Sequence, residues 1–315
     1  MHDVIALGSL TLDLFFRDDS LTINRDRFAL ALGGKYVAGE FHDSLGGGGA
    51  NVIIGTTRAG LQGALWSQVG IGGLSLYIRD QLTQEHIDLG LLEQEADFSN
   101  ISTILLSAKG ERTIITHRSH DLRLDVTPER LAALKECRLF FLGNMPEIPL
   151  EERERLVGVV HEAGHAVALN FGVKDCRRGL SALSSIFSKA TLVFLNRYEL
   201  GDVLGVKPTE LLPNEINYHR ALYLNDSAVT IITDGEFGSY AHTKSDIFYQ
   251  PALRLEKVID TTGAGDAFTS GYIAAHLYGR TIPECLERGA RNAQSVISYV
   301  GAQKGLLTKE ALSLR

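Results

Sequence analysis

Short apolar runs alternate with helix-like stretches over the second half of the chain, and this alternation limits the folds that the chain can adopt. Apolar runs at residues 139–142, 166–170 and 192–195 predict buried strands. The stretches between them, residues 150–163 and 179–187, predict helices. Strands and helices that alternate in this way form parallel sheets covered by helices on both faces. The sequence therefore predicts an α/β fold with a doubly wound, mainly parallel, Rossmann-like sheet.

The first half of the chain adds strands to that sheet and then departs from the alternation. Residues 4–9 predict a buried strand, since they are apolar and no basic leader precedes them. Residues 11–44 and 99–118 contain β-like stretches instead, including two runs joined by a glycine turn at residues 108–111, which predict a hairpin. We therefore assign residues 1–10, 45–98 and 119–315 to a core, and residues 11–44 and 99–118 to a second, smaller β layer.

Composition argues against several classes of protein. The 315 residues, 44% of them hydrophobic, suffice for one large domain with a small appendage. The 31 basic and 38 acidic residues give a net charge of −7 without a long basic run, so we expect no nucleic-acid partner. No apolar stretch approaches the ~20 residues of a transmembrane helix, so we expect no membrane partner. The three cysteines lie far apart without disulfide or zinc-knuckle spacing, which fits a reducing cytoplasm.

A turn at residues 260–266, Asp-Thr-Thr-Gly-Ala-Gly-Asp, indicates specific chemistry because an apolar helix-like stretch follows it. Gly263 and Gly265 let backbone N–H groups converge around Ala264, and the first turn of a helix adds unpaired N–H groups and the positive end of its dipole. Such groups bind anions, most often phosphate. Asp266 would repel a phosphate at rest, so we interpret it as a general base for a hydroxyl that attacks a phosphoryl group. The alternative is a tight turn with a helix-capping acid.

A second glycine segment, residues 46–49, runs directly into Asn51 and an apolar helix-like stretch. Four successive glycines are unfavourable in backbone entropy. They suit a place where a small ligand lies against the main chain. A flexible linker is the alternative, which the helix that follows at once disfavours.

Five motifs resemble those of the ribokinase-like, or phosphofructokinase-B type, family of carbohydrate and nucleoside kinases. They occur in family order over roughly residues 4–305 and comprise Gly8-Ser9 with Asp13, the glycine segment with Asn51, Asn196 with Glu199, Thr233-x-Gly235-x-x-Gly238, and the turn at residues 260–266. The resemblance implies an ATP-dependent kinase that transfers the γ-phosphate to a hydroxyl of a small sugar. It also implies that the small β layer is a lid over the acceptor and a surface that can form a homodimer.

The resemblance assigns a role to each of these positions. The acceptor is implied to contact Asp13, Gly46, Gly47, Gly48, Asn51 and the base Asp266, with Gly263, Ala264 and Gly265 as the anion hole. The nucleotide is implied to contact Asn196, Thr233, Gly235, Gly238, Gly263, Gly265 and Asn292. Without the family, simpler interpretations stay open: Asp13 as a turn residue, Asn196 and Glu199 as a helix capping box, and residues 233–238 as an ordinary hairpin turn.

Two metal sites follow from the resemblance. Magnesium enters with ATP and is ordered by Asn196 and Glu199, mostly through water, which suits an ion that keeps several waters and few protein carboxylates. Relatives that depend on a monovalent cation bind potassium around the positions of Asp260, Thr262 and Gly301. Whether this chain builds that site stays open.

One departure from the family pattern bears on the acceptor. Many relatives carry lysine at the position of Gly48. Its absence removes a natural partner for a substrate phosphate, so we expect an unphosphorylated sugar or nucleoside as the acceptor.

Three other functions compete with a sugar kinase. A nucleoside kinase uses the same scaffold, and a catalytically silent sugar- or nucleotide-binding protein would share its fold. Residues 161–165 fit the zinc-hydrolase pattern His-Glu-x-x-His, with His161, Glu162 and His165. Gly164 and the strand-like run from residue 166 place His165 at the end of the helix, which disfavours a zinc site.

Overall fold

The alternating pattern of the sequence reappears as alternating strands and helices. The computed structural model describes residues 1–18, 23–24, 27–28, 30–96, 99–107, 112–119, 124–222 and 224–314. Its strands are β1 (Val4–Leu7), β2 (Thr11–Arg17), β3 (Ile23–Asn24), β4 (Arg27–Phe28), β5 (Glu40–Gly46), β6 (Gly63–Val69), β7 (Leu92–Gln94), β8 (Asn100–Leu106), β9 (Arg112–Arg118), β10 (Leu139–Leu142), β11 (Ala166–Asn170), β12 (Leu192–Asn196), β13 (Val229–Thr233), β14 (Ser239–His242) and β15 (Ile247–Gln250). Its helices are α1 (Gly48–Arg58), α2 (Gly73–Gln84), α3 (Pro128–Glu136), α4 (Leu150–Glu162), α5 (Val173–Cys176), α6 (Leu180–Phe187), α7 (Arg197–Leu204), α8 (Ala264–Leu277) and α9 (Ile282–Val296).

A large mixed sheet forms the centre of the molecule. Its order is β15-β14-β13-β12-β11-β10-β1-β6-β7. Neighbours from β13 to β7 pair in parallel, and β13, β14 and β15 pair antiparallel at one edge. The predicted doubly wound, mainly parallel sheet is thus confirmed. Because the carboxyl ends of parallel strands meet at one edge, that edge is where a ligand site is expected.

Helices cover both faces of this sheet. Phe140 and Phe141 are adjacent in β10, and their side chains enter the two different cores. The core that contains Phe141 packs against α1, α8 and α9, whereas the core that contains Phe140 packs against α3, α4, α6 and α7. An edge-to-face pair between Phe194 of β12 and Tyr272 of α8, with ring centroids 5.4 Å apart, fixes α8 on the sheet.

The lid, defined here as strands β2, β5, β8 and β9, is a separate four-stranded sheet in the order β5-β2-β8-β9. Strands β8 and β9 pair antiparallel, as the predicted hairpin requires, and β2 pairs with both β5 and β8. The predicted second β layer is confirmed, although the predicted turn at residues 108–111 lies outside the described residues. Strand β5 continues to Gly46, two residues beyond the limit that the sequence suggested.

The histidine pattern at residues 161–165 does not lie on one helical face. Helix α4 ends at Glu162, Gly164 adopts a positive φ of 78°, and β11 begins at Ala166. Within the described residues there is no cluster of three or more His, Cys, Asp and Glu side chains that would hold a metal. No helix in the same residues has the length and apolar character to cross a membrane.

Candidate active site

The turn at residues 260–266 delivers the chain onto the N-terminus of α8, as the sequence predicted. Gly263 is the N-cap of this 14-residue helix and has a left-handed φ of 73°. A Cβ at Gly263 would overlap the side chain of Ala302, so both the backbone angle and the close packing require glycine there. Apart from its chain neighbours and the backbone of its own helix, no heavy atom of the described residues lies within 4 Å of the Cβ position of Gly265, so the first turn of α8 is open on this side.

Asp266 lies in the first turn of α8 and faces the glycine segment. Asn51 of α1 donates a hydrogen bond from Nδ2 to Asp266 Oδ2 at 2.8 Å. Burial raises the pKa of Asp266, and the Asn51 hydrogen bond partly offsets this rise. A Cβ at Gly48 would lie 3.4 Å from Asp266 Oδ1, so this second oxygen points toward Gly48.

Three of the four glycines are explained by close contacts within the protein. A Cβ at Gly49 would lie 2.6 Å from Gly8 Cα, and one at Gly47 would overlap the Ser9 backbone. A Cβ at Gly46 would overlap the Asp13 carboxylate. The sequence suggested that all four glycines leave room for a ligand. In the structure that reason applies to Gly48, whereas Gly46, Gly47 and Gly49 allow the backbone and Asp13 to approach.

Asp13 lies in lid strand β2 on the other side of this segment. Burial raises its pKa, whereas hydrogen bonds from Ser102 and Thr11 and the positive charge of Arg118 act in the opposite direction. The structure thus places Asp13 against Gly46 and Asp266 beside Gly48, in the same glycine segment, while their contact with an acceptor stays a prediction.

Gln303 is a site residue that the sequence analysis missed. Its side chain is buried and donates from Nε2 to Asn51 Oδ1 at 2.9 Å. Its backbone carbonyl accepts a hydrogen bond from Arg58 Nη1 at 2.6 Å. Because Gln303 occupies the Asn51 oxygen, the Asn51 NH₂ group must face Asp266. Asn51 therefore orients the Asp266 carboxylate, in addition to any contact that it makes with a sugar. The bond from Gln303 to Asn51 is long-range, and no local pattern around residues 301–303 signals it.

Asn196 and Glu199 form the capping box that was the simpler interpretation of their sequence. Glu199 N donates to Asn196 Oδ1 at 2.9 Å, and Asn196 N donates to Glu199 Oε2 at 2.8 Å. Burial, together with the negative charges of Asp266 and Asp202, raises the pKa of Glu199 to about 7, although hydrogen bonds from Asn196 act in the opposite direction. A buried carboxylate that is repelled by other carboxylates is well suited to a divalent cation, so the residues fit magnesium as well as the cap.

The predicted nucleotide loop follows β13 next to Asn196. Thr233 pairs directly with Asn196 across the parallel strands β12 and β13, at the carboxyl edge of the sheet. Gly235 has a positive φ of 55° and open space around its Cβ position. Gly238 instead packs against the backbone of Gln250, so it serves the β13–β14 hairpin as the simpler interpretation predicts.

Asn292, which the resemblance placed near the nucleotide, makes its polar contacts within the protein. Its side chain is fully buried in α9, and its Nδ2 donates to Ala267 O at 2.8 Å and to Ser270 Oγ at 3.1 Å. Its Oδ1 accepts from Leu307 N at 2.8 Å. Because every polar atom of its side chain is engaged and none is exposed, Asn292 joins α8, α9 and the C-terminal segment, and its contact with a nucleotide stays a prediction.

Of the three positions implied for potassium, Asp260 supplies a buried carboxylate, and Thr262 and Gly301 donate hydrogen bonds to it. Asp260 Oδ1 accepts from Thr262 N at 2.9 Å and from Thr262 Oγ1 at 2.7 Å. Asp260 Oδ2 accepts from Gly301 N at 3.0 Å. Arg112 of the lid completes this group with an ion pair to Asp260 Oδ1.

A helix N-terminus with an adjacent carboxylate, next to a lid, suits phosphoryl transfer, and comparison with known families decides which kind of enzyme this is. The family model of the pfkB family carbohydrate kinases matches residues 1–309. The chain belongs to the pfkB family of carbohydrate kinases. The ribokinase-like resemblance inferred from the motifs is thereby confirmed, and the chain is an ATP-dependent carbohydrate kinase.

Curated relatives and solved structures extend over nearly all of this pfkB kinase. An ATP-dependent 6-phosphofructokinase of Thermoanaerobacterium thermosaccharolyticum is 22% identical over 309 residues, covering 96% of this chain and 89% of that protein. A 5-dehydro-2-deoxygluconokinase of Halalkalibacterium halodurans is 23% identical over 307 residues, with coverage of 94% and 88%. The structure of Arabidopsis thaliana ribokinase with ribose and ATP superposes with a TM-score of 0.82 at 19% identity and covers 99% and 97% of the two chains. The ribokinase-like fold with its separate lid sheet is therefore established.

The role of Gln303 leads to a prediction about the titration of Asp266. In Gln303→Leu the Asn51 amide loses the partner that fixes its orientation, so its hydrogen bond to Asp266 weakens. A carboxylate that loses a hydrogen bond to its charged form becomes easier to protonate. We therefore expect the pKa of Asp266 to rise, measured by NMR titration of its ¹³C-labelled carboxyl carbon.

The matched control is Gln294→Leu, because Gln294 is another glutamine whose Nε2 donates a hydrogen bond, in its case to the backbone carbonyl of Arg254 and not to Asn51. It should leave the Asp266 titration unchanged. An unchanged titration in Gln303→Leu as well would contradict the orienting role of Gln303.

Proposed function

We propose that this kinase transfers the γ-phosphate of ATP to a hydroxyl of a small sugar, with Asp266 as the general base. The observation that carries the proposal is the position of Asp266, in the first turn of α8, with Asn51 on one carboxylate oxygen and Gly48 beside the other. The oxygen beside Gly48 is the one that can accept a proton from an acceptor seated there. Asp266 shares the first turn of α8 with unpaired N–H groups, which would attract the phosphoryl group that this hydroxyl attacks.

The proposed step moves one proton and exchanges one P–O bond for another. The acceptor hydroxyl gives its proton to Asp266 as its oxygen bonds the γ-phosphorus, and the bond between that phosphorus and the ADP oxygen breaks. Burial makes Asp266 a stronger base than an exposed aspartate by raising its pKa. The Asn51 hydrogen bond limits this rise and keeps the other oxygen aimed at the acceptor.

We propose that Asn196 and Glu199 hold magnesium, mostly through water, with Thr233 and Gly235 next to the nucleotide phosphates. Magnesium bound with ATP neutralises phosphate charge during transfer. The raised pKa of Glu199, which its burial and the nearby Asp266 cause, supports a site that gains from a divalent cation. The position of Thr233 beside Asn196 supports a shared nucleotide site at this edge of the sheet.

We propose that the acceptor is an unphosphorylated sugar held between Asp13 and Gly48. The two curated relatives differ in acceptor, since one is named a 6-phosphofructokinase and the other a 5-dehydro-2-deoxygluconokinase. Family membership therefore leaves the acceptor undetermined. The absence of a cation at Gly48 supports a neutral sugar. Arg112 is engaged by Asp260, so it does not replace that charge.

We further propose a homodimer through the outer face of the lid and a cytoplasmic location. Phe41 and Ile115 on the lid are 54% and 61% exposed, and Phe16 packs on Phe41 with ring centroids 5.2 Å apart. An apolar sheet surface of this kind supports contact with a second copy. The free, buried thiols of the three cysteines support a reducing compartment.

Asp266→Asn tests the general base. The amide cannot accept the acceptor proton, so turnover should fall by ~10²–10⁴-fold, whereas the dissociation constant for ATP should change little. The measurement is steady-state phosphorylation together with calorimetric ATP binding. Asp246→Asn is the control, because Asp246 lies in an exposed loop, and it should keep wild-type turnover. Wild-type turnover in Asp266→Asn would rule out the assignment.

A comparison of one sugar with its own monophosphate tests the acceptor. Without a charge-assisted partner worth ~1.5–3 kcal/mol, the monophosphate should have a kcat/KM lower by about one to two decades at fixed salt. Gly48→Lys supplies that charge, and because Gly48 does not have a positive φ its backbone can carry a side chain. This variant should show a smaller difference in kcat/KM between the sugar and its monophosphate. A wild-type preference for the monophosphate would refute the inference from Gly48, and a preference for a nucleoside over every sugar would select the other acceptor class.

A further inference from the structure

The carboxylate of Asp260 is buried at the start of the turn that forms the anion hole. Its side chain is 4% exposed, and its neutral hydrogen-bond donors come from Thr262 and Gly301. Neutral donors solvate the carboxylate but do not balance its charge, and a buried charge requires a charged partner. The turn therefore needs a cation at this point.

Arg112 of the lid supplies that cation. Its Nη1 forms an ion pair with Asp260 Oδ1, and its Nη2 lies 3.5 Å from Thr261 Oγ1. In the described part of the chain, Arg112 is the basic residue that forms a salt bridge with Asp260. One guanidinium thus binds both the buried carboxylate and the first threonine of the turn.

A monovalent cation at the same place would meet the Arg112 guanidinium. Arginine does not lose its proton in proteins, so its charge persists under all assay conditions. The one negative charge of Asp260 would then have to balance two cations, which would repel one another at short range in a buried site. The residues around Asp260 therefore do not fit the potassium ion that the family resemblance implied.

We infer that Arg112 takes the place of a monovalent cation beside the anion hole and makes phosphoryl transfer independent of potassium. This inference rests on the proposed role of the turn in phosphate binding. Because Arg112 lies in lid strand β9, the residue that orders the turn belongs to the lid and not to the core. Arg112 is a positioning residue in this account, since it acts through Asp260 and Thr261.

The first test compares wild-type phosphorylation rates in potassium and in tetramethylammonium at equal ionic strength. Equal rates are expected, since tetramethylammonium is too large for a carbonyl-lined site and Arg112 already supplies the charge. A strong requirement for potassium in the wild-type enzyme would overturn the inference. ATP-dependent phosphorylation in either salt still establishes the kinase reaction, so this outcome is distinct from failure of the proposed function.

The second test uses Arg112→Gln, which keeps hydrogen-bonding capacity and removes the charge. In tetramethylammonium its turnover should fall by roughly tenfold to a hundredfold. Loss of a direct oxyanion donor costs more, ~10²–10³-fold, and the effect here is smaller because Arg112 acts through the turn. Potassium or added guanidinium should restore much of it by occupying the vacated site. Undiminished turnover in tetramethylammonium, or a loss that neither cation restores, would overturn the inference.

Thermal unfolding supplies a readout that does not depend on catalysis. Potassium should raise the Tm of Arg112→Gln more than it raises that of the wild-type protein, because only the variant has an unbalanced Asp260. Arg17→Gln is the matched control, since Arg17 lies on the same lid and pairs with Glu40. It should show the wild-type response to potassium in both assays, and equal responses of all three proteins would count against the inference.

Discussion

The hydrogen bond between Asn51 and Asp266 joins the two helix N-termini on which the site depends. Asn51 lies in the first turn of α1 and Asp266 in the first turn of α8, and the bond between them spans 215 positions of sequence. Gln303 fixes the direction of the Asn51 amide. The buried face of α8 packs on the sheet and so fixes the helix that carries the Asp266 carboxylate. The proposed base, the proposed anion-binding turn and the glycine segment are thereby held together.

Much of the fold could be predicted from the sequence because its determinants are local. Strands β10 and β11 begin and end where their apolar runs do, and α8 begins at the glycine turn as the N–H argument requires. The antiparallel edge formed by β14 and β15 was not predicted, since neither strand has a strong apolar alternation and their pairing depends on the hairpin that follows β13.

The site was harder to predict, because several motif residues serve the protein rather than a ligand. Asn292 belongs to a motif position near nucleotides, yet contacts from α8 and residue 307 consume all its polar atoms. Gln303 and Arg112 act across 252 and 148 positions of sequence, on Asn51 and Asp260 respectively. Such contacts arise when distant elements pack, and no local spacing in the sequence records them.

The most direct test of the account is a crystal structure with magnesium, a non-hydrolysable ATP analogue and the preferred acceptor. We expect one acceptor hydroxyl within about 2.6–3.2 Å of the Asp266 oxygen beside Gly48, in line with the γ-phosphate at the N-terminus of α8. Asn51 should still hold the other oxygen. An acceptor hydroxyl aligned with the γ-phosphate but out of reach of Asp266, or in contact with a different carboxylate, would contradict the central claim.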